Sequence, residues 1–315
     1  MSRLTRHPPI TLHLGAHRSA SSTLQRLLER NADRLAAQGV AIWTPRRTRS
    51  GLLTGVMGDP GRVGGRRDDQ AQRAAGRVSV LRNDLTAAGI ERLILTDENM
   101  LGGLRENVLL GRLYPSVSAR MHRLGQAVPG VERICLCVRS PDTWWASAFA
   151  FLMTRGFAPP DGTTIEAVLR ARRGWRHVIE DIAAACPDAA LDVWAFEERA
   201  KDPAGVYELL TGQGPSRSGV PVLNAAPTLA ALRARLADEG WIGTLPGLGD
   251  SYAPFDPDAR AALRAAYAED MTWLRDGADG IARYHGAGTT AMPRLRKGPR
   301  HERFRRSAQQ MGTAG

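Results

Sequence analysis

Alternating apolar positions near the N-terminus give way to apolar positions at helical spacing. In the stretch ITLHLGAHRSASSTLQRLL, residues 10–14 alternate apolar and polar side chains, which predicts a β-strand. Gly15 ends that pattern, and residues 16–23 are mostly small and rich in hydroxyl groups. The three leucines of residues 24–28 then share one face of a predicted helix. The pattern therefore predicts a strand, a small-residue loop and a helix.

Strand and helix patterns alternate along the rest of the chain. Further strands are predicted at 40–43, 93–96, 134–138 and 191–196, and the strand at 191–196 is predicted to be the last. Helices are predicted at 71–85, 113–124, 141–152, 165–182, 203–211, 227–238 and 257–274. Residues 46–68, rich in Arg and Gly, predict a long, exposed and mobile loop. Short apolar strands separated by helices predict an α/β fold, a three-layer parallel sheet with helices on both faces.

Candidate binding residues follow the predicted strands. Ligands of such sheets bind beyond the carboxyl ends of the strands, and the loop after residue 14, the pair Asp97-Glu98 and Arg139 all lie at such ends. A loop that opens a helix leaves backbone N–H groups unpaired, and the helix dipole adds positive charge there. Arg18 brings a permanently charged fork of donors to the same loop. The loop therefore suits a phosphate or sulfate.

The loop is not that of an ordinary kinase or NTPase. The loop motif of those enzymes, GxxxxGK[ST], is absent, because no second glycine follows Gly15 and the loop contains no lysine. The lysines of the chain are Lys201 and Lys297.

Composition bounds the class of protein. The chain has 315 residues, 43% of them hydrophobic, and a formal charge of +11. Residues 286–315 hold seven Arg and Lys residues against one Glu and few apolar side chains, so we expect one domain at 1–285 and a basic, disordered tail. No apolar run could span a bilayer, and the N-terminus shows no secretory signal. The three cysteines read as buried thiols, so we expect a cytoplasmic protein with no metal site.

The loop resembles that of bacterial sulfotransferases with a P-loop-like fold. That family opens with a strand, a loop of the form GxxKTGTTxLQ and a helix, and this chain matches it from Gly15 to Gln25. Arg18 replaces the family's lysine, Ala20 its loop glycine, and serines its threonines. The segment VRSPDTWWASAFAFLMTRG, which contains Arg139 and Ser147, also resembles the family, as do weaker matches over residues 8–285.

The resemblance implies a sulfotransferase that moves a sulfuryl group from PAPS (3′-phosphoadenylyl sulfate) to a hydroxyl or amine, leaving PAP. Arg139 and Ser147 would bind the cofactor's 3′-phosphate, and Glu98 or His17 would be the general base. The acceptor would be a small molecule or a carbohydrate. The residues implied for the 5′-phosphosulfate are Arg18, Ser19, Ala20, Ser21, Ser22 and Thr23.

Several alternatives remain open. Glu98 could instead cap the next segment or pair with Arg18. The chain could be a catalytically inactive, nucleotide-binding relative, because Arg18 and Ala20 depart from the family's loop. A nucleic-acid-binding protein is the weaker alternative, because the basic residues concentrate in the tail and no basic stripe with interleaved aromatic residues is present. The match of Arg296-Lys297-Gly298 to the RKG of eukaryotic sulfotransferases has low weight in that basic tail.

Overall fold

A parallel sheet forms the centre of the protein. The structure, a computed structural model, describes residues 7–62 and 64–293. Its strands there are β1 Ile10–Gly15, β2 Val40–Trp43, β3 Arg92–Thr96, β4 Val131–Val138, β5 Ala190–Ala195, β6 Gly247–Leu248, β7 Ser251–Tyr252 and β8 Ala282–Tyr284. The main sheet has the order β2-β3-β1-β4-β5-β8 with every pair parallel, and β6 and β7 form a separate antiparallel hairpin. Strand β1 is therefore interior, between β3 and β4.

Helices connect the strands. In the described residues they are α1 Ser21–Arg30, α2 Ala32–Ala37, α3 Pro45–Arg47, α4 Gly65–Ala87, α5 Leu104–Leu110, α6 Val117–Ala127, α7 Pro141–Met153, α8 Gly162–Arg170, α9 Trp175–Ala185, α10 Phe196–Arg199, α11 Pro203–Thr211, α12 Leu229–Asp238 and α13 Pro257–Arg275. Short π or 3₁₀ turns occur at Thr48–Leu52, Pro60–Arg62, Glu98–Met100 and Ala278–Gly280. Side-chain caps at Asp161, Asp202, Thr228 and Asp256 start α8, α11, α12 and α13.

The sheet buries both of its faces. Successive residues of β4 point to opposite sides, so Leu136 packs with α4, α6, α7 and α9, whereas Cys137 packs with α1 and α11. These two apolar layers enclose the strands. The predicted α/β fold, a parallel sheet between two helical layers, is confirmed.

The expectation of an exposed loop at 46–68 is only partly correct, because most of its residues are exposed but the segment also contains helical turns and buried apolar residues. The segment contains α3 and the π-helical turn, and Leu52, Leu53 and Val56 are buried against α4 and the sheet core. Arginine and glycine content dominated the prediction, but the few apolar residues of the segment are enough to fix it on the domain. The segment thereby places Arg49 within hydrogen-bond distance of Glu98.

Three boundaries also differ from the sequence pattern. Residues 113–116 form a bend, with Tyr114 at φ 42°, before α6 begins. The helix expected at 165–182 is two helices, because the backbone turns at Arg172, with φ 45°, and the N–H of Trp175 donates to Asp270 on α13 at 2.7 Å. Strand β5 is not the last strand, because β8 pairs with it. Strand β8 has three residues, ARY, which are too few to give a periodic signal.

The described chain continues past the predicted domain end at 285. Residues 286–293 lie beside β4 and α10, where Arg199 donates to the carbonyls of Gly286 and Thr289 and Arg133 donates to that of Pro293. The Arg296-Lys297-Gly298 match and most of the predicted tail lie outside the described residues. Among the described helices, none combines the length and the apolar character that crossing a bilayer requires.

Candidate functional site

The loop after β1 exposes a set of backbone donors. Residues 16, 18 and 20 have φ values of 105°, 63° and 63°, and this alternation turns successive N–H groups towards a common concavity. The N–H groups of residues 18–22 make no hydrogen bond within residues 7–62 and 64–293. Helix α1 begins immediately afterwards, so its positive end faces the same concavity. The loop is therefore built to receive an anion.

Two residues of the loop show why its composition matters. Gly15 has φ 69°, and a Cβ there would lie 3.0 Å from the Cβ of Ser21. Glycine is therefore required for β1 to turn directly into the loop. Ala20, where the loop that this one resembles has glycine, adopts the left-handed conformation as the residue before α1. An alanine in that region is strained, so the loop keeps its shape at a cost in stability.

The hydroxyl groups of the loop face in different directions. Ser19 donates to the carbonyl of Ala16 at 2.6 Å, inside the loop. Ser22 accepts from the side-chain amide of Asn224 at 2.9 Å, and Thr23 accepts from the N–H of Leu223 at 3.0 Å. Thr23 therefore anchors the segment that covers α1, whereas Ser21 and Ser22 line the cleft.

Arg18 turns from the loop towards α7. Its Nε donates to the Ser147 hydroxyl at 2.9 Å, and its guanidinium lies 4.9 Å from the centre of the Phe151 ring. Burial lowers the pKa of Arg18 to about 10, with the charges of Arg139 and Arg155 adding to the shift. Arg18 still carries its charge at neutral pH, and its environment favours an incoming anion.

Arg139 lies at the carboxyl end of β4, beside the same loop. Its Nη1 donates to the carbonyl of Arg18 at 2.7 Å, its Nε donates to Thr143 at 3.1 Å, and the guanidinium stacks 4.4 Å from the ring of Phe196. Burial lowers its pKa below the ordinary value. Within the described residues, neither Arg18 nor Arg139 forms an ion pair with a carboxylate. The structure thus brings the predicted residues Arg18, Arg139 and Ser147 together.

His17 is held at both ring nitrogens. Its Nε2 lies 3.0 Å from Asn99 Oδ1, and its Nδ1 lies 3.1 Å from the hydroxyl of Tyr114, which also accepts from the His17 N–H at 2.8 Å. With Nε2 donating to the amide oxygen, Nδ1 is the acceptor for Tyr114. Burial lowers the pKa of His17, so the ring is neutral at pH 7.

Glu98 lies across the cleft, on the turn that follows β3. One oxygen accepts from Arg49 at 2.8 Å and the other from Gln25 at 3.0 Å. Burial by itself would raise the pKa of Glu98, but the hydrogen bond from Arg49, the charges of His17 and Arg49 and the hydrogen bond from Gln25 together outweigh it, so the net shift is downward. Glu98 does not pair with Arg18, and the capping role belongs to Asp97, which accepts from the Asn99 N–H.

These groups line one cleft of about 210 Å³. Arg18, Arg139 and Glu98 follow strands β1, β4 and β3, and Leu104, Phe151 and Phe196 are apolar residues of the same lining. A cleft with two cations, free backbone donors and one carboxylate can bind a polyanion beside a group that accepts a proton.

Several residues of the site carried no usable sequence signal. Arg49 was assigned to an exposed loop, and Tyr114 to a helix, yet both contact predicted site residues. Trp144 and Trp175 donate to the carbonyls of His17 and Arg139, at 2.7 and 2.6 Å. The polar ends of these two indoles could not be paired with a partner without the fold.

Comparison with known proteins covers family models, curated proteins and solved structures. No protein-family model matches the chain, and no curated protein matches it. Among solved structures, a sulfotransferase from Alicyclobacillus acidocaldarius aligns with a TM-score of 0.42 at 16% sequence identity. The alignment covers 86% of this chain and 95% of that one.

Proposed function

We propose that this protein is a sulfotransferase that uses PAPS and forms PAP. The observation that carries the proposal is the meeting of Arg18, Arg139 and Ser147 with the unpaired N–H groups of the 18–22 loop, in one cleft that also contains Glu98. These residues come from β1, β4 and α7, and each was singled out by the same resemblance.

The donor set fits a ligand with several negative charges. Two partly buried arginines that form no ion pair with a carboxylate among the described residues, and a row of free N–H groups, favour anionic acceptors. PAPS would supply the sulfuryl group. Arg18 and loop residues Ser19 to Ser22 would hold its 5′-phosphosulfate end, and Arg139 with Ser147 would hold the 3′-phosphate. We assign Thr23 a supporting role instead, because its N–H donates to the Ala20 carbonyl at 3.1 Å and its hydroxyl accepts from the N–H of Leu223.

Glu98 is the better general base of the two candidates. Each of its oxygens already accepts one hydrogen bond but keeps a lone pair, and the lowered pKa keeps the carboxylate ionised at neutral pH. Glu98 would accept the proton of an acceptor hydroxyl on a small molecule or carbohydrate. His17 has both nitrogens engaged, so we assign it to orienting Asn99 and Tyr114.

Arg18 would act on the charge that develops during transfer. A donor already aimed at the leaving oxygen stabilises it without reorganisation, as in phosphoryl transfer. In the structure, Arg18 instead bonds Ser147 and stacks on Phe151. Catalysis therefore requires this side chain to rotate into the loop.

The same observation supports a second candidate function. If Arg18 keeps its hydrogen bond to Ser147, its charge would still offset that of a bound nucleotide, but its guanidinium would not contact a sulfuryl group during transfer. The protein would then be a nucleotide-binding relative without transferase activity.

Single-turnover transfer from ³⁵S-labelled PAPS distinguishes the two candidates. Arg18→Ala should lose at least about 10²-fold in rate, the usual cost of removing one oxyanion donor. PAP, which lacks the sulfuryl group, should bind only modestly more weakly. Arg18→Lys keeps the charge and should retain most activity.

Arg155→Ala is the matched control. It removes a cation that stacks on the same Phe151 ring, 4.1 Å from its centre, but lies outside the loop. Its rate should stay near that of the wild type. Equal rates for wild type and Arg18→Ala, with PAP still bound, would support the inactive relative instead.

A further inference from the structure

Arg49 joins two carboxylates at the carboxyl end of β3. Its Nη2 lies 2.6 Å from Asp97 Oδ1 and 2.8 Å from Glu98 Oε1, and its Nε lies 3.1 Å from Asp97 Oδ2. One guanidinium therefore contacts both side chains. The Asp97 side chain is fully buried, that of Glu98 is 15% exposed at the cleft, and that of Arg49 is 41% exposed.

Asp97 is the fixed end of this arrangement. Besides Arg49, it accepts from the Thr48 hydroxyl and from the Asn99 N–H. Thr48 precedes Arg49 in the π-helical turn, so the carboxylate holds both the side chain and the segment that carries it. Asp97 is not among the residues that line the cleft. Its contacts therefore act on Arg49 and not on a ligand.

Glu98 is the end that faces the cleft. Arg49 holds Oε1, and Gln25 of α1 holds Oε2 at 3.0 Å. Two donors on two oxygens fix the plane of the carboxylate, and the remaining lone pairs point away from both donors. A general base needs this fixed geometry, because a misplacement of about 1 Å can cost about 10²-fold in rate.

We propose that Arg49 is the positioning residue for Glu98: it orients the carboxylate and supplies the positive charge beside it, and Asp97 serves to hold Arg49. The inference rests on the role of Glu98 in the proposed function. It assigns the 48–52 segment, which carries no recognisable motif, to the acceptor side of the site.

The charges around Glu98 determine the direction of the pH effect. Asp97 and Arg49 face it from one side, and His17 and Tyr114 from the loop side. Burial raises the pKa of Tyr114 and lowers that of His17, so both are neutral at pH 7. The hydrogen bond from Arg49 is the largest of the effects that lower the pKa of Glu98, with His17 and Gln25 contributing, so removing Arg49 leaves burial less opposed. The pKa of Glu98 should then rise.

The first test measures this carboxylate directly, without turnover. The ¹³C chemical shift of the Glu98 carboxyl, assigned by its loss in Glu98→Gln, is titrated with pH in the full chain. Arg49→Ala should move the midpoint upward, and Arg49→Lys should move it less because a cation remains. Arg46→Ala, which removes an exposed arginine three positions earlier, should leave it unchanged. An Arg49→Ala midpoint equal to the wild type overturns the proposal.

A second variant guards against misfolding. Arg49→Ala leaves the buried carboxylate of Asp97 without its cation, which can destabilise the fold. The double variant Asp97→Asn/Arg49→Ala removes this unpaired negative charge and keeps Glu98. The same upward midpoint in the double variant supports Arg49 as the cause. A wild-type midpoint in the folded double variant counts against it.

The second test measures turnover against pH. Arg49→Ala should lower kcat by about 10²-fold, move the acidic limb of the profile to higher pH, and leave PAP affinity unchanged. A loss of kcat with an unshifted acidic limb would mean a purely structural role and would overturn the proposal. If the wild type transfers no sulfuryl group but the Glu98 midpoint still depends on Arg49, the sulfotransferase proposal fails while the positioning contact stands.

Discussion

Burial determines the protonation of the two histidines beside the loop. His13 lies inside β1, with Nδ1 2.8 Å from the Thr96 hydroxyl and its ring stacked parallel to Trp194 at 5.8 Å. Burial lowers the pKa of His13 to about 4, and the charge of Glu98 only partly opposes this shift. His17 is lowered for the same reason. Both rings act as neutral hydrogen-bonding groups.

The stability of the protein should therefore depend on His13 between pH 4 and pH 6.5. The unfolded chain binds a proton in this window and the folded chain does not, so stability is present above pH 6.5 and is lost as pH falls. At about 1.36 kcal/mol per pKa unit, the shift from 6.5 to about 4 corresponds to roughly 3 kcal/mol. Urea unfolding of wild type and His13→Phe at pH 7 and pH 4.5 measures the difference. Equal pH dependence in both proteins would contradict this account.

Helix α7 and the turn before α9 connect the aromatic core to the site. Trp144 on α7 donates its indole N–H to the His17 carbonyl, and Trp175 at the start of α9 donates to the Arg139 carbonyl. Both tryptophans are fully buried, and Tyr114 packs between them. The backbone before Arg18 and at Arg139 is therefore fixed by the same aromatic cluster.

Trp144→Phe should test this connection. Phenylalanine keeps an aromatic ring in the core but leaves the buried His17 carbonyl without its donor, which costs about 1–3 kcal/mol of stability. PAP should also bind more weakly, because the loop loses one of its fixed points. The control is Trp145→Phe, since Trp145 is also buried on α7 but its indole N–H makes no hydrogen bond to a described residue. Urea unfolding and calorimetry compare the two variants, and equal losses in both properties would argue against a specific role for the indole bond.

Elements with a clear periodicity of apolar residues could be predicted from the sequence, but the contacts between these elements could not. The β1-loop-α1 unit and the strand before Arg139 follow from apolar spacing and from local chemistry at the strand ends. Strand β8 is too short for a period, and its place beside β5 depends on Asp192, which accepts from Arg283 and His285. Arg49 lies 48 positions from Asp97, and nothing in its own neighbourhood marks it as a partner. The long-range pairing of these charged groups could be identified only from the fold.

The last described residues, 286–293, pack against the domain and bond to its buried side chains. The buried Arg199 donates to the carbonyls of Gly286 and Thr289, and the buried Arg133 donates to that of Pro293. Cys135 of β4 also contacts Met292 at 3.8 Å. Residues 286–293 therefore supply partners for buried cations on the side of the sheet that carries α11, whereas the candidate cleft lies at the carboxyl ends of the strands.

Two truncations should separate stability from binding. A chain that ends at 293 should match the full chain in stability. A chain that ends at 285 should lose about 1–3 kcal/mol, because the carbonyl partners of buried arginines are removed. Both should keep the PAP affinity of the full chain, as measured by calorimetry beside urea unfolding. Loss of PAP binding in either truncation would place a binding residue in the removed segment.

The binding of PAP against ATP tests the central claim most directly. Arg139 and Ser147 are proposed to hold a 3′-phosphate, which PAP has and ATP lacks. Charge-assisted hydrogen bonds of this kind contribute about 1.5–3 kcal/mol, so titration calorimetry should give PAP a roughly 10- to 100-fold lower Kd than ATP. Arg139→Ala should remove most of that difference. Equal affinity of the wild type for the two nucleotides would contradict the account.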